Sequence, residues 1–154
     1  MKTIAELVAA AEPRGPLPLL ELAARLEATG RLRAVVPAAA LTALVFGGVT
    51  DDSRAVRPRG VFAGITGAHV DGHRFVTAAA AAGALAAIVE RPMDPAPSAL
   101  VQLVVDRSQL ALADAAAWWY GDPSRELGII GITGTDGKTS TAFLAVAALA
   151  AAGI

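Results

Sequence analysis

A glycine-rich segment in the last quarter of the sequence has the residue types that bind phosphate. It reads G-I-T-G-T-D-G-K-T-S over Gly131–Ser140 and lies between an apolar run, Leu127–Ile132, and a helical pattern, Lys138–Ala152. Glycines let successive backbone N–H groups converge on phosphate oxygens, and the start of a helix adds partial positive charge. In such a loop Lys138 would reach the β- and γ-phosphates, and the Thr139 hydroxyl would ligate Mg²⁺.

The spacing of this loop departs from the common phosphate-loop pattern. G-x-x-x-x-G-K-[ST] would need glycine five residues before Gly137, where the chain has Ile132, and the segment reads instead as G-x-x-G-x-x-G-K-T. A strand-to-helix turn without nucleotide is the alternative, but Gly-Lys-Thr-Ser at a helix start favours phosphate. Asp136 counts against phosphate binding, because a carboxylate repels phosphate unless the carboxylate faces away or lies near the metal.

The elements that must position this loop alternate between strand and helix. The patterns predict helices over Thr3–Ala11, Leu17–Thr29, Arg74–Ala82 and Ser108–Tyr120, and strands over Ala43–Val49, Val61–Ile65, Ala84–Glu90, Leu100–Val105 and Leu127–Ile132. Strand–helix–strand order predicts an α/β fold. A single strand and helix cannot cover both faces of a parallel sheet. We therefore predict a small α/β domain over residues 1–106, and over 107–154 the first strand, phosphate loop and helix of an incomplete ATPase domain.

Composition excludes several classes of protein. The chain of 154 residues has net charge −1, no cysteine and two histidines, which argues against disulfides, thiolate metal sites and broad nucleic-acid binding. Mean hydropathy is +0.53, but no stretch approaches the roughly 18 to 20 strongly apolar residues of a spanning helix. Glu6 interrupts the only candidate core of a secretory signal. We expect a cytoplasmic monomer with no nucleic-acid partner and no membrane insertion.

A set of short motifs resembles one family. The motifs are Asp52-Ser53-Arg54, Gly60-Val61-Phe62, Gly67, Asp71-Gly72-His73 with Phe75, Ala82-Gly83-Ala84, and the loop Gly134-Thr135-Asp136-Gly137-Lys138-Thr139. In this order and spacing they resemble the Mur ligases, which form amide bonds in peptidoglycan precursors at the expense of ATP. The stretch from Trp119 to Ser124 is similar to the one that precedes the loop in the member that adds a diamino acid to UDP-N-acetylmuramoyl-L-alanyl-D-glutamate.

The resemblance implies two binding sites. ATP with Mg²⁺ would be held by Gly134, Thr135, Asp136, Gly137, Lys138, Thr139 and Ser140, with Lys138 as the catalytic residue and Thr139 as the metal ligand. The uridine and diphosphate of the nucleotide-sugar would be held by Ser53, Ala68, His69 and Val70. The reaction implied is transfer of phosphate from ATP to a substrate carboxylate, followed by attack of meso-diaminopimelate or L-lysine on the acyl phosphate.

Ordinary structural roles stay open at these positions. Ser53 could cap a turn, His69 could be a loop histidine, and Asp71-Gly72 is a common turn pair. Arg54 could pair with Asp51 or Asp52 at the surface, or approach diphosphate. His73 could cap a helix, and Trp118, Trp119 and Tyr120 are expected to form the packing seam between the two domains rather than a base-stacking platform.

Departures from the family pattern leave two other functions open. Asp136 stands where the family has asparagine, Arg59-Gly60-Val61 replaces its Gly-Asp-Leu, and the acidic metal ligands, the carbamylated lysine and the C-terminal domain of the family are absent from this sequence. We therefore expect a fragment that is inactive alone. The alternatives are the family member that adds D-alanyl-D-alanine and a binding module that recognises a nucleotide-sugar without catalysis.

Overall fold

A computed structural model describes residues 15–37, 41–67, 70–97, 99–125 and 128–153. The chain forms two compact units, Met1–Pro123 and Ser124–Ile154. The predicted helix Thr3–Ala11 lies outside the described residues, as do Ala68 and His69.

The first unit is built on a five-stranded sheet covered by helices. Its elements are β1 (Leu17–Pro18), α1 (Leu19–Ala28), β2 (Leu32–Val36), β3 (Leu44–Val45), β4 (Val49–Thr50), β5 (Val61–Ala63), a 3₁₀ helix (Gly72–Phe75), α2 (Val76–Ala81), β6 (Ala86–Val89), β7 (Val101–Val105) and α3 (Ser108–Tyr120). The sheet order is β2-β7-β6-β5-β4, with β2 antiparallel and the other four strands parallel, while β1 and β3 form a separate antiparallel pair. The α/β fold with a mostly parallel sheet is therefore confirmed.

Both faces of this sheet are buried, which explains its sequence. Every residue of β5, β6 and β7 is buried, as expected when helices cover a parallel sheet on each side. Side chains alternate between faces along β6: Ala86 and Ile88 join the core beneath α1 and α3, while Ala87 and Val89 join the core beneath α2. The apolar runs predicted as strands are thus the central strands.

Most predicted elements of the first unit are present. The helix Ser108–Tyr120 has the predicted bounds and ends at Gly121, whose φ of +75° suits glycine at a helix C-terminus. The region predicted as one strand over Ala43–Val49 holds β3 and the start of β4, separated by Phe46, Gly47 and Gly48.

Strand β2 was missed by the pattern analysis. It is the antiparallel edge of the sheet and pairs with β7 through backbone bonds, while its side chains are exposed or half-buried. An edge strand with little burial has no strong apolar alternation, so its sequence carries a weak signal.

The packing of α3 bears on two expectations. The compact units divide after Pro123, because α3 packs on the sheet of the first unit, and the domain boundary at residue 106 stays a prediction. Trp118 and Trp119 are buried in that core, 8% and 4% exposed, with ring centroids 5.9 Å apart. The expected seam between domains is therefore wrong for these two residues: they are core residues of the first unit.

A 3₁₀ turn, Pro123–Arg125, begins at the last residue of the first unit, and the second unit contains helix α4, Lys138–Ala151, close to the predicted range. Within its described residues, 128–137 form no strand, so the part of the predicted strand Leu127–Ile132 that the structure describes is not formed. A strand requires a neighbour for its backbone hydrogen bonds, and the described residues of this unit include no other strand.

Candidate functional site

Three sequence motifs of the first unit, Asp52-Ser53-Arg54, Gly67 and Asp71-Gly72-His73, follow the carboxyl ends of strands, whereas Gly60-Val61-Phe62 and Ala82-Gly83-Ala84 lie at the amino ends of β5 and β6. Strands β4, β5 and β6 are parallel, so their carboxyl ends lie at the same edge. The described segments that leave those ends are 51–54, 64–67 with 70–71, and 90–91. Ligands of parallel α/β sheets bind outside the carboxyl ends of the strands, which makes this edge the candidate binding site.

An open cleft of about 490 Å³ lies at this edge. It is lined by Asp51, Asp52, Ser53, Arg54 and Phe75. Ser53 is half-buried in the cleft, and Arg54 is exposed. Of the residues expected to hold the nucleotide-sugar, the structure thus places Ser53 in the cleft lining, whereas the exposed Val70 is on the loop after β5 and is not a lining residue.

A tight turn presents Ser53 to this cleft. The Asp52 carboxylate accepts hydrogen bonds from the Arg54 backbone N–H and from Nε at 2.9 Å each, and its other oxygen accepts from Nη2 at 2.8 Å. The Arg54 side chain, together with its backbone N–H, holds the pKa of Asp52 down at about 2. Asp52 and Arg54 neutralise each other and fix the turn around Ser53, while Asp51 adds one formal negative charge to the cleft lining.

The loop after β5 is closed at its base by backbone hydrogen bonds. Gly67 N–H donates to Val70 O at 3.0 Å, and Gly72 N–H donates to Ile65 O at 2.8 Å. A Cβ at Gly72 would lie 2.6 Å from both the N and the O of Ile65, so the motif requires glycine there. Asp71-Gly72 is therefore more than a solvent-exposed turn, since it closes the loop against the end of β5.

Behind the loop, His73 is buried in a hydrogen-bonded chain. It is 2% exposed, with Nδ1 2.6 Å from Asp71 Oδ1 and Nε2 accepting the Glu90 backbone N–H at 2.9 Å. Asp71 also accepts from Arg91 Nη2, and this bond is the largest cause that holds the pKa of the Asp71 carboxyl far below its ordinary value. His73 is thus a core residue rather than a helix cap.

Glu90 and Ser108 were not singled out from the sequence. Glu90 Oε1 accepts from both the backbone N–H and the hydroxyl of Ser108, each at 2.9 Å, and Oε2 accepts from the Thr66 hydroxyl at 3.0 Å. The bond from the Ser108 N–H is the largest cause that lowers the pKa of Glu90. One signal in the sequence could have pointed to Glu90: it directly follows the apolar run of a predicted buried strand. Residues at the carboxyl ends of parallel strands are where α/β sheets bind their ligands.

The predicted phosphate loop belongs to the second unit. Gly134 and Gly137 have φ of +152° and +75°, and Gly137 directly precedes α4. The N–H groups in the first turn of a helix have no intrahelical acceptor and point out of the helix end, and within the described residues no side chain caps this helix start. The loop therefore has the backbone form that an anion at a helix start requires.

The side chains of the loop are open to solvent. Lys138 Nζ donates to Gly134 O at 2.5 Å and to Thr135 O at 3.1 Å, so its ammonium lies over the loop. Asp136, Thr139 and Ser140 are exposed. The second unit thus brings together all seven residues predicted for ATP, while any contact of theirs with a nucleotide stays a prediction.

The metal ligands available to this chain are few. Among the described residues, no group of three or more His, Asp or Glu side chains could hold a metal ion. Magnesium in nucleotide sites takes much of its coordination from phosphates and water and little from protein. The exposed Thr139 at the helix start therefore fits a magnesium–nucleotide complex, and it fits no free-standing metal site.

Known proteins resemble the chain across this region. A family described as "Mur ligase family, catalytic domain" matches residues 45–120. The chain is 48% identical over 107 residues to UDP-N-acetylmuramyl-tripeptide synthetase of Deinococcus radiodurans, a match that covers 70% of this chain and 22% of that protein. It is 41% identical over 130 residues to UDP-N-acetylmuramoyl-L-alanyl-D-glutamate--2,6-diaminopimelate ligase of Geobacter metallireducens, covering 84% of this chain and 25% of that protein.

A solved structure shares the fold. It is that of UDP-N-acetylmuramoylalanyl-D-glutamyl-2,6-diaminopimelate--D-alanyl-D-alanyl ligase from Acinetobacter baumannii, with TM-score 0.61 and 31% identity over 84% of this chain and 27% of that one. The chain therefore spans about a quarter of the length of these relatives. Among the described residues, no helix is long and apolar enough to cross a membrane.

Proposed function

Residues 45–120 make this chain a member of the Mur ligase family, and on that premise we propose that it provides the nucleotide-sugar cleft and the opening phosphate loop of an ATP-dependent amide ligase. The substrate class is a UDP-N-acetylmuramoyl peptide, and the product is a precursor of peptidoglycan. ATP, Mg²⁺, a cytoplasmic location and a monomeric state belong to the same proposal. The residues given span about a quarter of the length of these relatives, and for them we propose binding of the nucleotide-sugar and of the triphosphate.

The observation that carries this proposal is the cleft at the carboxyl ends of β4 and β5. The half-buried Ser53 lines that cleft together with the paired Asp52 and Arg54, the acidic Asp51 and the aromatic Phe75. A hydroxyl, exposed backbone groups and an aromatic ring suit the uracil and ribose of a nucleotide, which need polar contacts of defined direction rather than charge. Ser53, Ala68, His69 and Val70 are proposed as the contacts to uridine and diphosphate.

The phosphate loop supplies the second half of the proposal. Lys138 carries a positive charge over the loop, where the γ-phosphoryl group would bind, and its contacts are carbonyl oxygens that a phosphate could displace. Thr139 would be the protein ligand of Mg²⁺, which neutralises triphosphate charge when bound. The N–H groups at the start of α4 would complete the cradle.

The chemistry proposed for the whole enzyme activates a carboxylate. A carboxylate oxygen of the substrate attacks the γ-phosphorus of ATP, the bond to the bridging oxygen breaks, and ADP leaves with the electron pair. The amine of the incoming amino acid then attacks the carbonyl carbon, inorganic phosphate leaves, and the nitrogen loses a proton. Phosphorylation is needed because oxide is too poor a leaving group for direct attack by an amine.

We further propose that the incoming amine belongs to a diamino acid, meso-diaminopimelate or L-lysine. The relatives named above as tripeptide synthetase and 2,6-diaminopimelate ligase share 41–48% identity with the chain, against 31% for the D-alanyl-D-alanyl ligase. The latter activity is the second candidate, because its structure matches 84% of this chain.

Calorimetric titration tests the cleft directly. UDP-N-acetylmuramoyl-L-alanyl-D-glutamate should bind the chain, and Ser53→Ala should weaken binding by about twofold to tenfold, the value of one net hydrogen bond. Thr42→Ala, in an exposed turn that does not line the cleft, is the matched control and should bind like the parent. A folded parent chain that binds no UDP-sugar would refute the proposal.

The same ligand series separates the two activities. UDP-N-acetylmuramoyl tripeptide, the acceptor for D-alanyl-D-alanine, binding much more tightly than the dipeptide would favour the second candidate. Equal affinities for the dipeptide and tripeptide ligands would show that the first unit binds the nucleotide part of the ligand and makes no contact that distinguishes the peptides. The choice between substrates would then rest on an assay of a protein that includes the remaining domains.

A further inference from the structure

A chain of polar side chains lies behind the cleft and joins three segments of the sheet edge. It runs from the Asp71 side chain through His73 to the backbone N–H of Glu90, and from the Glu90 carboxylate to Thr66 and Ser108. Two of its members, His73 and Ser108, are fully buried. Buried polar groups are costly unless they are satisfied, so a connected chain at this place must serve to fix geometry that apolar packing leaves free.

The hydrogen bonds define the state of the His73 ring. The Glu90 backbone N–H can only donate, so Nε2 must accept and carries no proton. Nδ1 then holds the ring proton and donates it to Asp71 Oδ1 at 2.6 Å. The imidazole therefore donates to Asp71 through Nδ1 and accepts from the Glu90 N–H through Nε2. A side chain that can only donate or only accept would replace one of these two hydrogen bonds.

What this ring holds in place is the wall of the cleft. His73 lies in the 3₁₀ helix Gly72–Phe75, whose last residue lines the cleft with its ring. Through Glu90, His73 ties that helix to the carboxyl end of β6. The Glu90 carboxylate, in turn, accepts from the Thr66 hydroxyl, and Thr66 forms an isolated bridge with Asp71, so the residues around Glu90 contact both the aromatic wall and the base of the β5 loop.

We propose that His73 is a positioning residue for the nucleotide-sugar: it sets the place of Phe75 and of the Thr66–Asp71 loop base by bridging Asp71 and the Glu90 backbone. The inference rests on the proposed function, because it assumes that the cleft holds the nucleotide-sugar. It assigns no contact between His73 and the ligand, since the ring faces the core. The expected effect of losing His73 is therefore weaker binding of the nucleotide-sugar.

The test compares two replacements of His73. Leucine fills the site but leaves the Glu90 N–H without an acceptor, whereas glutamine can present an oxygen near the position of Nε2. His73→Leu should weaken binding of UDP-N-acetylmuramoyl-L-alanyl-D-glutamate about tenfold, and His73→Gln should restore affinity to within about threefold of the parent.

Two controls separate positioning from loss of stability. Leu22→Ala removes a fully buried side chain on the opposite face of the sheet and should lower the unfolding midpoint while the affinity stays unchanged. Thr66→Val removes only the hydroxyl that donates to Glu90 and should weaken binding about two- to threefold, against no change for the exposed Thr77→Val. All affinities are measured at a temperature where each variant is folded by circular dichroism.

Each outcome decides the proposal. Retained affinity in folded His73→Leu would overturn it, and so would an equal loss in Leu22→Ala, which would show a general response to destabilisation. If His73→Leu does not fold, Thr66→Val decides alone: parent affinity in that variant overturns the inference. A parent chain that binds no UDP-sugar refutes the proposed function itself, which is a different result from a parent that binds and variants that bind equally well.

Discussion

Replacing Glu90 tests whether its carboxylate stabilises the first unit by accepting hydrogen bonds from Ser108. Its carboxylate accepts the backbone N–H and the hydroxyl of Ser108, both at 2.9 Å, at the start of α3. Ser108 is fully buried, so in Glu90→Met both donors would lose their acceptor without gaining water. Hydrogen bonds to a charged group contribute about 1.5–3 kcal/mol each, and the half-exposure of Glu90 reduces this, so we expect a loss of about 2–4 kcal/mol.

Tryptophan fluorescence during urea denaturation measures this loss cleanly. The chain has two tryptophans, and both are buried in the core of the first unit, so the signal reports that unit alone. Glu90→Gln is the matched control, because its amide oxygen can still accept from Ser108 and should limit the loss to about 1 kcal/mol. A Glu90→Met midpoint within about 0.5 kcal/mol of the parent would refute the reasoning.

The pH dependence gives an independent check on the same carboxylate. Folding lowers the pKa of Glu90 below its ordinary 4.5, so its contribution is fully present above that pH and is lost as the pH falls through the folded value. The stability difference between the parent and Glu90→Gln should therefore shrink below about pH 4.5. A difference that stays constant from pH 7 to about pH 3 would contradict the assigned hydrogen bonds.

Three further predictions concern the loops. Lys138→Ala should weaken binding of magnesium–ATP at least about tenfold by calorimetry and leave UDP-sugar affinity unchanged, whereas loss of both would contradict separate sites. Asp136→Asn removes a negative charge beside the bound triphosphate and should tighten binding roughly twofold to fivefold at low salt, with a smaller gain at high salt. Gly72→Ala forces a Cβ to 2.6 Å from the Ile65 backbone and should destabilise the first unit by at least about 1–3 kcal/mol, while Gly128→Ala, which meets open space, should not.

The apolar pattern of the sequence predicts more of the strands in the first unit than in the second. In the first unit, apolar runs and glycines at their ends predict the central strands and α3. These elements are buried, so the pattern of apolar residues within each of them is strong. The apolar pattern does not predict the edge strand β2, because β2 is held by backbone pairing with β7 and its side chains are exposed or half-buried. In the second unit the helix followed from its sequence, but no strand forms in the described residues 128–132, because strand formation depends on a neighbour.

The candidate site shows the same division. The Gly-Lys-Thr loop and the Asp-Ser-Arg turn were visible in the sequence, because their geometry is made by residues within about four positions of one another. The family resemblance rested on these local motifs, and the comparisons confirmed it. Roles that depend on distant partners, such as those of Trp118 and Trp119, were misjudged from sequence because core and surface aromatics look alike in a linear pattern.

The amino-acid sequence by itself determined the fold class, the family and the two loops that could meet a ligand. Only the tertiary structure decided that His73 lies in the core, that Glu90 caps α3, and that Asp71 pairs with Arg91. These contacts join residues 17 to 20 positions apart. The order β4, β5, β6 and β7 in a parallel sheet brings the strand ends together, and that order is a property of the packed sheet that no short stretch of sequence encodes.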